Sequence, residues 1–352
     1  MPHTSCIHVR RQLGEKAIRT LTSLGLLDRG LRIHRNSQLV IPLLRKPDQE
    51  ESQILRETLG DFLLTDGDFE TIEYRPRTLK EVLAKIIPEA SLSSIPKSLD
   101  IIGHIAITEI PPHLEYAKSE IGKAVLSIHR NVRTVLAKSG PVEGELRLRK
   151  YELIAGEACT ETTHREYGCV YLLDPTKVYF SPRLCTERMR VAHKVSAGEL
   201  VLDMFAGVGP FSILIARIQP KAKVYAIELN PVAAAYLTKN ITLNHLDNRV
   251  FPIVGDARQV VESGNLPKMD RIIMNLPEKA LEFLPSACKV IGKCGVIHYY
   301  TFKGGAEALK EAVVEAISAL KVQGKNATVE TARIVRETAP REWQIVVDLQ
   351  VA

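Results

Sequence analysis

Apolar and polar positions divide the chain into three stretches with different rhythms. In the first, Cys6–Arg10 alternates as a short strand, and Ala17, Ile18, Leu21 and Leu24 recur at helical spacing within Gly14–Leu26. A strand at Gln38–Leu44, a helix at Glu50–Leu59 and a strand near Phe62 follow. Tyr74-Arg75-Pro76-Arg77, a short helix at Leu79–Ile87 and the Pro/Ser-rich run Pro88–Pro96 read as a linker. The second stretch opens with a strand at Leu99–Ile107 and a helix from Pro111-Pro112 to about Ser127. Extended segments at Thr134–Ala137, Arg147–Ile154 and Gly168–Leu173 complete it. From Val178 onward short apolar runs alternate with amphipathic ones to the end, the rhythm of a doubly wound parallel sheet. The expected organisation is a small domain over 1–74, a linker over 75–98, a middle α+β domain over 99–176 and an α/β domain over 177–352.

Composition narrows the class. With 352 residues, 45% apolar and 25% charged, the chain is long enough for more than one core and reads as soluble and globular. No apolar run approaches a membrane span, and the amino terminus lacks a signal peptide's apolar segment. Six cysteines are scattered without a Cys-x-x-Cys pair, so neither a disulfide framework nor a zinc site is expected, and the reducing cytoplasm is. No other metal site is expected. The net charge of +6 is modest, but its distribution is uneven. Residues 1–47 carry nine Lys/Arg against two acids, whereas 48–73 carry nine acids and Arg56 alone. Two more basic stretches run from Arg130 to Lys150 and from Lys177 to Lys194. Solvated faces explain part of this pattern; separate patches on separate domains suit a long polyanion better than a small substrate.

The densest chemical signal is Leu200–Phe211, where an apolar run reaches Asp203 and then Phe205-Ala206-Gly207-Val208-Gly209 before a new helical run. Glycine permits the backbone of such a strand–turn–helix joint to approach a nucleotide-like ligand. Val224–Glu228 is a second strand ending in an acid about twenty residues on, where ribose hydroxyls are commonly held. Ile253-Val254-Gly255-Asp256 is a third, and Arg271–Pro277 a fourth that ends Asn275-Leu276-Pro277. These strand ends look like a Rossmann-like, S-adenosylmethionine-dependent methyltransferase. A dinucleotide is disfavoured because Ser212 stands where the third glycine of its fingerprint would be.

Two further segments are unusual. Val178–Arg190 mixes Tyr179, Phe180 and Glu187 with Arg183, Arg188 and Arg190, and aromatics among arginines can stack on an extruded base. Thr186 is the expected cap of a helix starting there. In Gly144–Glu157, Arg147 and Arg149 alternate with Leu146 and Leu148, which places both guanidinium groups on one face of a strand. Together with Gly295–Tyr300 and Pro340-Arg341-Glu342, these segments make the chain resemble, over nearly its whole length, the archaeal and eukaryotic tRNA (guanine-N1)-methyltransferases that modify guanosine 37. It resembles the longer archaeal members, whose additional amino-terminal domain touches the outer corner of tRNA.

The resemblance implies Glu187 as general base and Arg147 as the stabiliser of charge on guanine O6, with Asn275 holding the base or the cofactor and Pro277 fixing its loop. It implies a cofactor site of Arg188, Phe205, Gly207, Gly209, Glu228, Leu229, Asp256, Ala257 and Asn275, and tRNA contacts from Arg147, Arg149, Tyr179 and Arg183. Guanine N1 is protonated at neutral pH, so a carboxylate beside a guanidinium suits its methylation. Glu228 replaces the aspartate of several relatives, a departure expected to shift the ribose only slightly. Asp256 could equally be a helix cap, and His298, Tyr299 and Trp343 read as structural. A monomer is expected. The alternatives within the fold are transfer of the cofactor's aminocarboxypropyl group in wyosine-type modification, or an additional methylation of a tricyclic guanosine derivative. Outside it stands a non-catalytic tRNA-binding protein.

Overall fold

The computed structural model describes residues 1–72, 76, 78–84, 86–144 and 146–352, with the side chains at 141–143 left aside. Of the segment Tyr74-Arg75-Pro76-Arg77, all but Pro76 lies outside the described residues. The chain divides into two units, Met1–Arg77 and Thr78–Ala352.

In the first unit the strands are β1 (His3–Val9), β2 (His34–Arg35), β3 (Leu39–Pro42) and β4 (Leu63–Asp68), ordered β2-β3-β1-β4. Ile7, Val9 and Ile41 turn one face inward onto Ala17 and Leu21 of α1 (Gly14–Ser23) and Leu55 and Leu59 of α2 (Gln49–Leu59). A capping box sets the start of α2, the Asp48 carboxylate accepting from the Glu51 N–H and the Glu51 carboxylate from the Asp48 N–H.

The second unit begins where a linker was expected. Instead, α3 (Leu79–Leu83) and the segment after it bury Leu83, Ile87 and Ile95 against Leu114 and Ile121, so these residues belong to the middle core. The predicted single strand Leu99–Ile107 is a hairpin of β5 (Leu99–Ile102) and β6 (Ile105–Thr108). It turns at Gly103, whose φ of +56° only a glycine tolerates easily. Next come α4 (Lys118–Ile128), β7 (Thr134–Glu143) and β8 (Leu148–Gly156), giving a sheet ordered β5-β6-β7-β8. Strand β9 (Thr162–Glu166), which the pattern does not announce, pairs with β10 (Cys169–Leu173). Side chains of Asn240 and Asn244 bond the outer backbone of β10 at Leu172 and Val170.

After β10 the chain runs α5 (Cys185–Lys194), β11 (Leu200–Asp203), α6 (Pro210–Ile218), β12 (Lys223–Glu228), α7 (Pro231–Leu243), β13 (Val250–Val254) and α8 (Ala257–Glu262). It continues as β14 (Met269–Met274), α9 (Ala280–Val290), β15 (Ile291–Gly304), α10 (Ala308–Val322), β16 (Ala327–Ala339) and β17 (Glu342–Val351). The seven strands lie in the order β13-β12-β11-β14-β15-β17-β16, and the first five are parallel. Alternate residues face two cores: Val201 joins α5, α6 and α7, and Leu202 joins α8, α9 and α10. The expected strand–helix rhythm stops at α10. Strands β16 and β17 form an antiparallel hairpin, and β17 runs antiparallel to β15, so the sheet is mixed. Helix α5 also differs at its start: it continues a turn at Pro182–Leu184 with no side-chain cap, so Thr186 lies inside it.

Candidate active site

Four parallel strands end at one cavity. The turn after β11 contributes Met204, Phe205 and Gly207; that after β12 contributes Glu228, Leu229 and Asn230. Gly255, Asp256 and Ala257 follow β13, and Asn275 and Leu276 follow β14. This is where open α/β sheets bind ligands, because helix starts and free backbone N–H groups converge at the carboxyl ends of the strands. Gly207 has a φ of +57° and Gly209 one of +90°. Gly209 does not line the cavity. It is needed as a cap to α6, since a Cβ there would stand 2.6 Å from Leu237 Cδ1 and 2.9 Å from Ile213 Cδ1.

The residues at the strand ends fit an adenosine-containing group. Glu228 accepts the Gly207 N–H at 2.7 Å on one oxygen and the Asn230 N–H at 2.7 Å on the other. With about four lone-pair positions on the carboxylate, these bonds and one from the Leu229 N–H leave room for a ribose hydroxyl. Burial pushes its carboxyl above the usual range while those backbone N–H groups oppose the shift. Phe205 and Phe283 meet edge to face, with centroids 4.9 Å apart, and the Arg258 guanidinium lies 4.6 Å from the Phe283 centroid. Phe205, Phe283 and Ala257 give the cavity an apolar wall of the kind against which a purine packs. Asp256 lines it and is also the cap of α8, accepting the Arg258 N–H at 2.7 Å. Behind the turn, Asp203 is fully buried and bonded to the Ser212 hydroxyl at 2.7 Å; burial first of all raises its carboxyl to about 6. Asn230, Arg258 and Phe283 were not singled out from the sequence. The Glu-Leu-Asn-Pro run at 228–231 was a readable cap signal, whereas nothing local marks Phe283.

Leu146, Arg147 and Tyr179 close the cavity from the side of the middle sheet. Arg147 is not in a strand: its φ is +54°, and β8 starts one residue later. The period-two alternation with Arg149 therefore fails at its first member, although both residues line one adjoining groove. The Arg147 guanidinium lies 4.8 Å from the Tyr179 ring centroid and 3.3 Å from Glu278. Its buried Nε has no hydrogen-bond partner among the described residues, an expensive vacancy for a donor and a ready one for a ligand oxygen. The groove beyond carries Lys138, Arg149, Arg183 and Arg336 beside Tyr151, together with Asp100, Glu278, Glu337 and Glu342. Arg183 is already engaged by Asp100, at 2.6 and 3.1 Å.

Besides Gly209 and Pro277, two charged residues expected in the site do not line the cavity. Arg188 is buried, bonded to both Glu166 oxygens and to the Ser181 carbonyl, with its guanidinium over Phe180; it does not line the cavity. A buried guanidinium needs its carboxylate, and β9, absent from the expected elements, supplies it. Glu187 is also buried and not a lining residue. Its two oxygens accept Arg190 at 2.7 and 3.0 Å, the Tyr300 hydroxyl at 2.7 Å and Arg333 at 2.6 Å. Arg190 continues to Asp348, and Asp348 to His298, which bonds Arg271. Burial would raise the Asp348 carboxyl, but His298, Arg190 and Lys194 hold it well below the usual range. Pro277 is buried, and Asn275 Oδ1 accepts the Gln344 amide at 3.0 Å. His298 and Tyr299 are interior residues with polar partners, and Trp343 is half-buried against the second core.

A nucleoside-type cleft at the carboxyl ends of a parallel sheet, adjoining a groove that carries Lys138, Arg149 and Arg336 among acids, fits a Rossmann-like transferase. The sequence pattern of the TRM5/TYW2 methyltransferase domain matches residues 162–331, that of a TYW2 N-terminal domain 79–160, and that of the tRNA methyltransferase 5 N-terminal domain 6–51. The chain is 41% identical to the tRNA (guanine(37)-N(1))-methyltransferase Trm5b of Pyrococcus abyssi, with 99% of each chain covered. A solved complex of aTrm5 and tRNALeu superposes with a TM-score of 0.77 at 33% identity, over 99% of both chains. A tRNA(Phe) (4-demethylwyosine(37)-C(7)) aminocarboxypropyltransferase of Pyrococcus horikoshii is 34% identical, covering 79% of this chain and 97% of its own. The chain belongs to the TRM5/TYW2 methyltransferase family.

Proposed function

We propose that this protein transfers the methyl group of S-adenosylmethionine to N1 of guanosine 37 in tRNA. The observation that carries the reading is the single cavity in which the strand-end turns, Asn275, Arg147 and Tyr179 meet. S-adenosylmethionine supplies an electrophilic methyl group on a sulfonium sulfur. Glu228 would hold its ribose, and Phe205, Phe283 and Ala257 its adenine, with Leu229 and Asp256 at the rim. The target guanine enters from the groove and lies between Tyr179, Arg147 and Asn275. As the N1–CH3 bond forms and the S–CH3 bond breaks, the N1 proton passes to a carboxylate, and Arg147 balances charge on O6. Glu187 is our candidate for that carboxylate, by its place in the family pattern. An ionised carboxylate offers about four lone-pair positions, and all are used in the cage of Arg190, Tyr300 and Arg333. Glu187 must therefore release at least one donor to take the proton.

Arg149 and Lys138 would follow the anticodon-side backbone, and Met1–Arg77 would reach the outer corner. We take the working unit to be a monomer in the cytoplasm. Incubation with tRNA and S-adenosylmethionine, followed by nuclease digestion and mass spectrometry, tests the reading. A methyl group on N1 of guanosine 37 is expected. A mass increase by the aminocarboxypropyl chain would assign the alternative chemistry, and tRNA binding without transfer would remove catalysis altogether.

A further inference from the structure

Behind Asn275 runs a short relay whose polarity is dictated by chemistry. Arg336 Nε donates to Gln344 Oε1 at 2.8 Å, and Gln344 Nε2 donates to Asn275 Oδ1 at 3.0 Å. A guanidinium has donors only, so the Gln344 amide must turn its oxygen toward Arg336 and its NH2 toward Asn275. The Asn275 oxygen is thereby turned toward Gln344, with one of its two lone pairs taken, and its NH2 is left for the cavity that Asn275 lines. Gln344 is 1% exposed, so water does not offer it a second choice. The same Arg336 donates to Ser181 Oγ at 3.0 Å and to the Tyr179 hydroxyl at 3.3 Å, which fixes it from a second side. The relay depends on the β16–β17 hairpin, where Arg336 and Gln344 are paired across the strands.

We propose that Gln344, polarised by Arg336, is a positioning residue that presents Asn275 to the bound guanine as a hydrogen-bond donor. This rests on the proposed function. Asn275 then addresses an acceptor of the base, and its carbonyl is withheld from the guanine N–H groups.

The test compares two substitutions at Gln344 in the full chain, by single-turnover methyl transfer with saturating tRNA and cofactor. Gln344→Glu is isosteric and keeps the bond to Arg336, but accepts only, so Asn275 must rotate and present its oxygen to the cavity. Gln344→Met removes both bonds and leaves Asn275 free to adopt either orientation. The expected rate falls about tenfold or more in Q344E and only about threefold in Q344M, with cofactor affinity unchanged in both. A merely structural role predicts the reverse order, because Q344M loses more contacts; that order would overturn the proposal. Should Q344E not fold, Asn275→Asp keeps the Gln344 bond and places an acceptor on the cavity. A tenfold or greater loss is again expected there (about 1.4 kcal/mol), and near-wild-type transfer overturns the proposal. A wild-type chain inactive on guanosine 37 refutes the functional reading itself, and an active one with the wrong variant order refutes only the relay.

Discussion

Replacing Glu187 by glutamine separates chemistry from architecture, because the structure fixes how much stability the change removes. The carboxylate receives four hydrogen bonds from Arg190, Tyr300 and Arg333. A glutamine oxygen accepts two at most, and its NH2 faces donors at the other positions. Losing a buried charge partner costs about 3–5 kcal/mol where nothing else compensates. Here Arg190 retains Asp348 and the Arg333 side chain is 34% exposed, so about 2 kcal/mol is the better figure. For a unit of this size that lowers Tm by about 4–8 °C and leaves the protein folded at 25 °C. Proton abstraction by a placed base contributes about 10²–10⁴ in rate. E187Q should therefore bind tRNA and cofactor within about threefold of wild type, a binding difference below 1 kcal/mol. Its single-turnover methyl transfer should fall at least a hundredfold, the lower end of the contribution of a base. Rapid-quench transfer from labelled S-adenosylmethionine, with filter binding for tRNA, measures both. Undiminished transfer would refute Glu187 as the base. Matching losses in transfer and tRNA binding would make it an architectural residue that orders Arg190, Arg333 and Tyr300.

Three further outcomes follow from the same site. Asp203 has a folded pKa of about 6 against an ordinary 3.8, so the folded state holds the extra proton between those values and stability falls as pH rises through them. Wild type should lose about 2 kcal/mol relative to Asp203→Asn from pH 4 to pH 6 in urea titrations, and a constant difference across that window would contradict the burial argument. Gly209→Ala, at φ +90° and with its Cβ 2.6 Å from Leu237, should destabilise the protein by about 2 kcal/mol or more. It should also weaken cofactor binding in calorimetry, and wild-type affinity would free the turn of its proposed role. Removing Met1–Arg77 should leave cofactor binding intact while erasing the preference for whole tRNA over an anticodon stem-loop; a preserved preference would assign that unit another task.

Local periodicity and strand-end chemistry made the Rossmann-like sheet, its Gly207–Gly209 turn and the positions of Glu228, Asp256 and Asn275 legible in the chain. Such signals are short-range: an apolar run, a glycine that must turn and an acid at a strand end lie within a few residues of one another. What escaped was long-range. Arg147 left its strand because a left-handed turn precedes β8, and Arg188 found Glu166 on a strand without a clear pattern. The hairpin of β16 and β17 could not be told from another strand–helix repeat, yet it brings Arg333 to Glu187 and Gln344 to Asn275. The order of residues thus set which backbone turns can form and which chemistry stands at each strand end. Only the packed structure decided which charges are spent on one another and which remain for a ligand, because a buried ion's partner is chosen by proximity across the fold.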